Sequence, residues 1–193
     1  MEEGEVLKKE FYRGDSFWSD DSEYKRIDYP INDEIIKQAE VILGVKLPSS
    51  LLDLLKIRNG GGLNYPYFML PDGDAESIPY GGRASISSIE PIHFENDDIS
   101  ILSSKELLEE VKLKGEFVVL WTDFHYWVVL DYRNRFQDPA VMYIAENFSA
   151  STDDTTEWEY IKIADTFDDF LKQLFRVPPL DPKQLKSSYS RKQ

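Results

Sequence analysis

Leu47-Pro48-Ser49-Ser50-Leu51-Leu52-Asp53-Leu54-Leu55, closing on Asn59-Gly60-Gly61-Gly62, decides how this chain is read. Pro48 suits a first helical turn, where its missing N–H has no intrahelical partner to lose. Leu51, Leu54 and Leu55 recur at i, i+3, i+4 and build an apolar stripe. Asn59 is expected to take the left-handed conformation that ends a helix, with glycines behind it that tolerate the turn. A phosphate cradle needs its glycines before a helix, not after one. The segment therefore reads as scaffold rather than active site.

The flanking sequence supplies more elements. Asn32 is a candidate N-cap for a helix running to about Leu43, with Ile35, Ala39, Ile42 and Leu43 as its buried stripe and Gly44 as its stop. Glu40 sits at the border of that stripe. A carboxylate there is costly unless it finds donors, so Glu40 reads as a structural anchor held by backbone N–H groups. Downstream, 65–69 and 84–89 read as short strands, and 104–112 as a helix. Residues 117–121 and 126–130 are continuous apolar runs, as expected of strands covered on both faces. The bend 122–125 joins them as a hairpin. Strands at 141–144 and 158–163 follow. Thr166 and Asp169 form a capping-box pattern ahead of Phe167, Phe170, Leu171, Leu174 and Phe175, with Pro178 and Pro179 as the stop. Helices, then a meander of strands, then a closing helix predict an α+β fold with a mostly antiparallel sheet.

Composition bounds the function. The 193 residues suit one domain, and with no cysteine there is no disulfide framework, thiolate metal site or cysteine nucleophile. Acids outnumber bases 36 to 22, for a net charge of −14. The residues after Leu180 hold four bases and one acid, so without them 18 bases and 35 acids remain, net −17. Such a body repels nucleic acid and anionic membranes and attracts basic partners. The acidic N-terminus is unlike a signal peptide, and the apolar runs fall short of the roughly 20 residues of a membrane helix. A cytoplasmic protein is expected. Phe11, Tyr12, Phe17, Trp18, Tyr24 and Tyr29 make residues 1–30 too aromatic for a disordered arm.

Chemistry-bearing motifs are few. Asp123-Phe124-His125 could pair a carboxylate with an imidazole, and with Asp131 it would make a hydrolase or metal site. No G-x-S-x-G motif accompanies it. Asp72, Asp74 and Glu76 begin like a calcium loop, but Ser77 and Arg83 stand where that loop needs glycine and glutamate. Neither Gly60–Gly62 nor Gly81-Gly82 is followed by the Lys-Ser/Thr of a P-loop. Asn147-Phe148-Ser149 matches a glycosylation sequon without a secretory signal. No cofactor and no metal are expected.

Taken in order, these residues resemble the SUKH superfamily, the bacterial relatives of the yeast Smi–Knr cell-wall regulators. The resemblance rests on Phe17-Trp18, on Ile35 to Glu40 leading into Leu43-Gly44-Val45-Lys46-Leu47-Pro48, and on Asn59-Gly60-Gly61. It continues with His125 to Arg133, including Trp127 and Asp131, then Pro139 before a strand, and Ala164-Asp165-Thr166-Phe167. It spans about residues 17–175. Phe124 stands where many relatives have glycine, and Leu51 where an aromatic is usual. The resemblance implies a SUKH-like domain over 17–177, between an N-terminal segment (1–16) and a basic tail (178–193). It also implies a non-enzymatic protein-binding role, foremost as an immunity protein that neutralises a toxin domain with a basic surface. A regulatory scaffold is the alternative, and the Asp123–His125–Asp131 enzyme a third. The expected partner-binding residues are Asp72, Asp74, Glu76, Asp123, His125, Asp153, Asp154 and Glu157.

Overall fold

The computed structural model describes residues 9–20, 28–71, 82–95, 98–152 and 155–178. Asn32 caps helix α1 (Asp33–Leu43) by accepting the Ile35 N–H at 2.9 Å, and Gly44 ends it at φ 71°. The buried stripe differs from the expected one. Ile36 and Ala39 are its centre, Ile35 and Leu43 its flanks, and Ile42 is 59% exposed. At about 100° per residue, Ile42 falls past the edge of the stripe that Ile36 and Ala39 define.

Glu40 reaches back from α1 to the connection that follows. One carboxylate oxygen accepts the Leu47 N–H at 3.0 Å, and the other pairs with the Lys46 ammonium. This fixes the entry to helix α2 (Ser49–Ile57), for which Pro48 is the N-cap residue rather than part of the first turn. Leu51, Leu54 and Leu55 are buried. Trp18 packs alongside, donating its indole N–H to the Leu54 carbonyl at 3.0 Å.

The end of α2 does not use Asn59 as expected. Arg58, in extended backbone, is the C-cap; the left-handed residue is Gly60, at φ 84°. Asn59 is instead buried, and its side-chain amide clasps Ile92. The oxygen accepts the Ile92 N–H at 2.9 Å, and the nitrogen donates to the Ile92 carbonyl at 2.8 Å and to the Tyr29 carbonyl at 3.2 Å. Gly60 lies so close to this segment that a Cβ would meet the Pro91 backbone nitrogen at 2.7 Å. Strand β2 (Gly61–Gly62) then pairs with a later one, Ser88–Ile89.

Three antiparallel sheets result. Strands β1 (Glu10–Phe11), β3 (Tyr67–Met69), β4 (Arg83–Ser85) and β10 (Phe175–Arg176) form one, in the order β1-β10-β3-β4. Glu10 and Phe11, ahead of Phe17, are thus stitched to Arg176 and Phe175, just past α4. Strands β2 and β5 (Ser88–Ile89) form the second. The region 84–89 is two strands, because Ala84 pairs with Phe68 and Ile89 with Gly61. The third is a meander of β6 (Phe117–Thr122), β7 (Tyr126–Asp131), β8 (Ala140–Glu146) and β9 (Trp158–Ala164).

The meander is covered on both faces. Val118, Val128, Leu130, Val141 and Tyr143 join the main core with α1, α2 and α4 (Phe167–Gln173). Val119, Trp127, Val129, Met142 and Ile144 pack on Leu107 and Leu108 of α3 (Ser104–Glu110) and on Leu113. Ser104 joins α3 to the sheet by accepting the Val119 N–H at 2.8 Å. Thr166 caps α4 through the Asp169 N–H, as the capping pattern predicts. That helix ends at Gln173, however. Phe175 belongs to β10, where its ring meets Phe11 at 5.7 Å and Tyr67 at 5.9 Å. Pairing with two strands outcompetes one more helical turn. No helix among the described residues is long and apolar enough to cross a membrane.

The clasp and the anchor give separable expectations. Asn59→Ala orphans both the N–H and the carbonyl of Ile92 at a buried site, a loss of at least ~2 kcal/mol in urea denaturation; an unchanged midpoint contradicts the clasp. Glu40→Ala leaves the Leu47 N–H unpaired and is expected to cost about 1–3 kcal/mol. Glu40→Gln keeps that acceptor and loses only the pairing with exposed Lys46, so its cost should stay within about 1 kcal/mol. Equal losses in the two Glu40 variants would place the stabilisation in the ion pair instead.

Candidate protein-binding surface

The hairpin between β6 and β7 is built by two short polar side chains. Asp123 accepts the N–H groups of His125 and Tyr126 at 3.1 and 2.8 Å, an Asx-turn arrangement. Thr122 accepts the Phe124 N–H at 2.8 Å and donates to the Tyr126 carbonyl at 3.1 Å. These bonds hold Phe124 at φ 72°, a left-handed conformation that costs an L-residue roughly 1–2 kcal/mol. Phe124 is 40% exposed, and its ring sits edge-on to Trp127 at 5.9 Å.

Asp123 thus grips backbone and does not orient the imidazole beside it. The partner of His125 is Glu146, with Nδ1 and the carboxylate oxygen 2.7 Å apart. Strand register explains the meeting. Tyr126 of β7 pairs with Ala145 of β8, and the Glu146 N–H donates to the His125 carbonyl at 2.9 Å. Phe148, in the connection to β9, tilts against the His125 ring at 5.5 Å and is 55% exposed. The Asn147 N–H donates to the Glu157 carbonyl, closing that connection and bringing Glu157 to the same end of the sheet.

Asp123, His125 and Glu157 therefore share one end of the meander, with Phe124, Glu146 and Phe148 among them. Glu146 and Phe148 escaped the sequence reading. Phe148 carried a faint signal, as a lone aromatic among polar residues, whereas Glu146 is placed only by the β7–β8 register. Asp72, Asp74, Glu76, Asp153 and Asp154 lie outside the described residues.

Beneath this end lie Trp127 and Trp158, edge-to-face at 6.2 Å. Both indole nitrogens are buried without a hydrogen-bond partner among the described residues. Tyr126 and Tyr143 stack at 5.9 Å on the core side. Burial, with the Asp123 and Glu146 carboxylates nearby, pushes the Tyr126 phenol above its ordinary range.

Asp131 is not part of this cluster. It ends β7, five residues from Tyr126 and about 3.3 Å per residue away along the strand. Its carboxylate holds Arg133 in a fork, at 2.9 and 2.8 Å, and accepts the Arg133 N–H at 3.0 Å. The guanidinium lies over the rings of Phe117 and Tyr160. Burial raises the Asp131 pKa, but the bonds from Arg133 outweigh it and leave the pKa below the ordinary value of 3.8. The Asp123–His125–Asp131 grouping is thus not assembled. No cluster of three or more metal-ligating side chains occurs among the described residues.

Away from the hairpin end, a concavity of about 750 Å³ opens between the end of α1 and α3, lined by Ile42, Val45, Leu102, Leu108, Leu113 and others. The buried hydroxyls at its wall are already engaged. Ser104 donates to the Ile101 carbonyl, and Tyr132 to the Lys46 carbonyl at 2.7 Å.

The family model described as SMI1 / KNR4 family (SUKH-1) matches residues 30–173. The chain belongs to the SMI1/KNR4 family. Neither a curated protein nor a solved structure matches it. In this SMI1/KNR4 chain the matched region takes in α1 through α4, so it holds both the Asn59 clasp and the acidic–aromatic end of the meander.

The Asp131–Arg133 fork has a definite pH signature. A carboxyl whose folded pKa is lowered stabilises above its unfolded value, and that contribution disappears as pH falls through the folded value. Asp131→Asn should therefore be less stable than the parent at neutral pH, with the gap closing below about pH 4. A gap independent of pH in thermal melts would show that the charge on Asp131 is not what stabilises the strand end.

Proposed function

We propose that this chain is an immunity-type protein, which binds a toxin domain with a basic surface and neutralises it stoichiometrically in the cytoplasm without catalysis. The observation that carries the reading is the end of the meander. Asp123, Glu146 and Glu157 surround two exposed phenylalanines on a chain of net charge −14 that belongs to the SMI1/KNR4 family.

The physics of such a contact is straightforward. Exposed aromatic side chains supply most of the affinity at protein interfaces, because they bury large apolar area at little entropic cost. Carboxylates around them steer a basic partner and repel nucleic acid, which a basic nuclease domain would otherwise hold. A rigid sheet end presents them at low reorganisation cost, since the hairpin is fixed by its own hydrogen bonds. The absence of cysteine is compatible with a reducing compartment.

Co-expression with the toxin encoded by the neighbouring gene tests the reading. The parent chain should restore growth and co-purify with the toxin in a one-to-one complex. Phe124→Gly relieves the left-handed strain and gives up the contact with Trp127, so its folding stability should stay within about 1 kcal/mol of the parent. It should nonetheless weaken toxin binding by about tenfold or more, as should Glu157→Lys, whose effect should shrink in high salt. Failure of the parent to protect cells, or a complex insensitive to both substitutions, contradicts the proposal.

A further inference from the structure

We propose that the hairpin end of the meander is a seat for a guanidinium group, so that the basic partner docks by inserting an arginine between Phe124 and Phe148 onto Glu146 and Asp123. The inference rests on the protein-binding reading above and specifies the chemistry of the contact.

Free acceptor capacity comes first. One oxygen of Asp123 is saturated by the N–H groups of His125 and Tyr126, and one oxygen of Glu146 by His125. The second oxygen of each carboxylate has no partner among the described residues. Glu146 is largely covered, its side chain 15% exposed, while the His125 against it is 58% exposed. A fixed, part-desolvated carboxylate beside an open flank suits a charge-assisted bond better than a mobile surface acid does.

The rings add direction. Phe124 and Phe148 are both exposed and both adjoin His125, one as its chain neighbour and the other in ring contact at 5.5 Å. A planar guanidinium can lie on an aromatic face and still direct its N–H fork at carboxylates, which a lysine ammonium cannot do with the same geometry. The chain already builds this arrangement once for itself at the opposite end of β7, where Arg133 lies over Phe117 and Tyr160 while Asp131 grips its fork. At the hairpin end the acids and the rings are present, and no arginine of the chain pairs with them among the described residues.

The layer beneath carries a third observation. Trp127 is fully buried in edge contact with Phe124, and its indole N–H, like that of Trp158, has no acceptor among the described residues. Buried donors without partners cost about 1–3 kcal/mol each. A docking loop brings backbone carbonyls along with its arginine, and Trp127 lies in ring contact with Phe124 at the seat.

The two indole N–H resonances make the test direct. Tri-arginine amide, tri-lysine amide and a single-stranded DNA oligonucleotide are titrated separately into the full ¹⁵N-labelled chain. Tri-arginine should shift the Trp127 and Trp158 indole signals, with an affinity about tenfold above tri-lysine, and DNA should not shift them. Glu146→Gln, which keeps the size and shape of the side chain, and Phe148→Ala, at an exposed position, should each weaken tri-arginine several-fold while leaving the remaining spectrum in place. Equal response to tri-lysine, preference for DNA, or indifference to both substitutions overturns the seat. A toxin that binds the parent and both variants equally refutes the arginine seat while leaving toxin binding intact. Selective arginine binding by a chain that protects no cell supports the seat and refutes the immunity reading.

Discussion

The fold depends on the clasp between Asn59 and Ile92. A side-chain amide there does the work of a strand partner, satisfying both backbone groups of a residue 33 positions later. The clasp sets where α2 stops, brings Gly60 against Pro91 and starts the β2–β5 pairing. From Pro91 the constraint passes on: the Ile101 N–H donates to the Pro91 carbonyl, and the Ser100 hydroxyl bonds the same carbonyl and that of His93. Those bonds place α3, which covers the second face of the meander through Leu107 and Leu108. A buried polar network stabilises only when every member is satisfied, and the side-chain nitrogen and oxygen of Asn59 are both hydrogen-bonded.

The architectural contacts and the proposed docking surface therefore occupy different regions of this SMI1/KNR4 chain. Near Asn59, Glu40 and Leu47, polar groups are buried and paired. At the hairpin end of the meander the carboxylates are only half paired among the described residues, beside an aromatic held in a strained backbone conformation. Strain and unpaired donors persist where the surrounding structure over-determines them, and they cluster at sites of interaction.

Much of the architecture was legible because its causes are local. Asn32, Gly44 and Thr166 act on backbone groups within four residues, and the apolar runs of β6 and β7 announce two-sided burial. The misreadings share the opposite cause. Asn59 looked like a left-handed terminator because its real partner lies 33 residues on. Phe175 continued the spacing of α4 but was claimed by Phe11 and Tyr67 from distant strands. Ile42 fell outside a stripe whose centre only packing could fix. At the candidate surface, Asp123 and His125 were found as a pair, but their bonds go elsewhere: the carboxylate to its own turn, and the ring to Glu146 across a register that the sequence does not spell out.

Hydrogen–deuterium exchange on a complex with the proposed toxin partner tests most directly whether the acidic–aromatic end of the meander is the docking surface. Slowed exchange is predicted at the amides of 122–126 and 146–148, with the α1–α3 cleft unchanged. Protection confined to that cleft, around Ile42 and Leu108, with the hairpin exchanging as in the free chain, would contradict it.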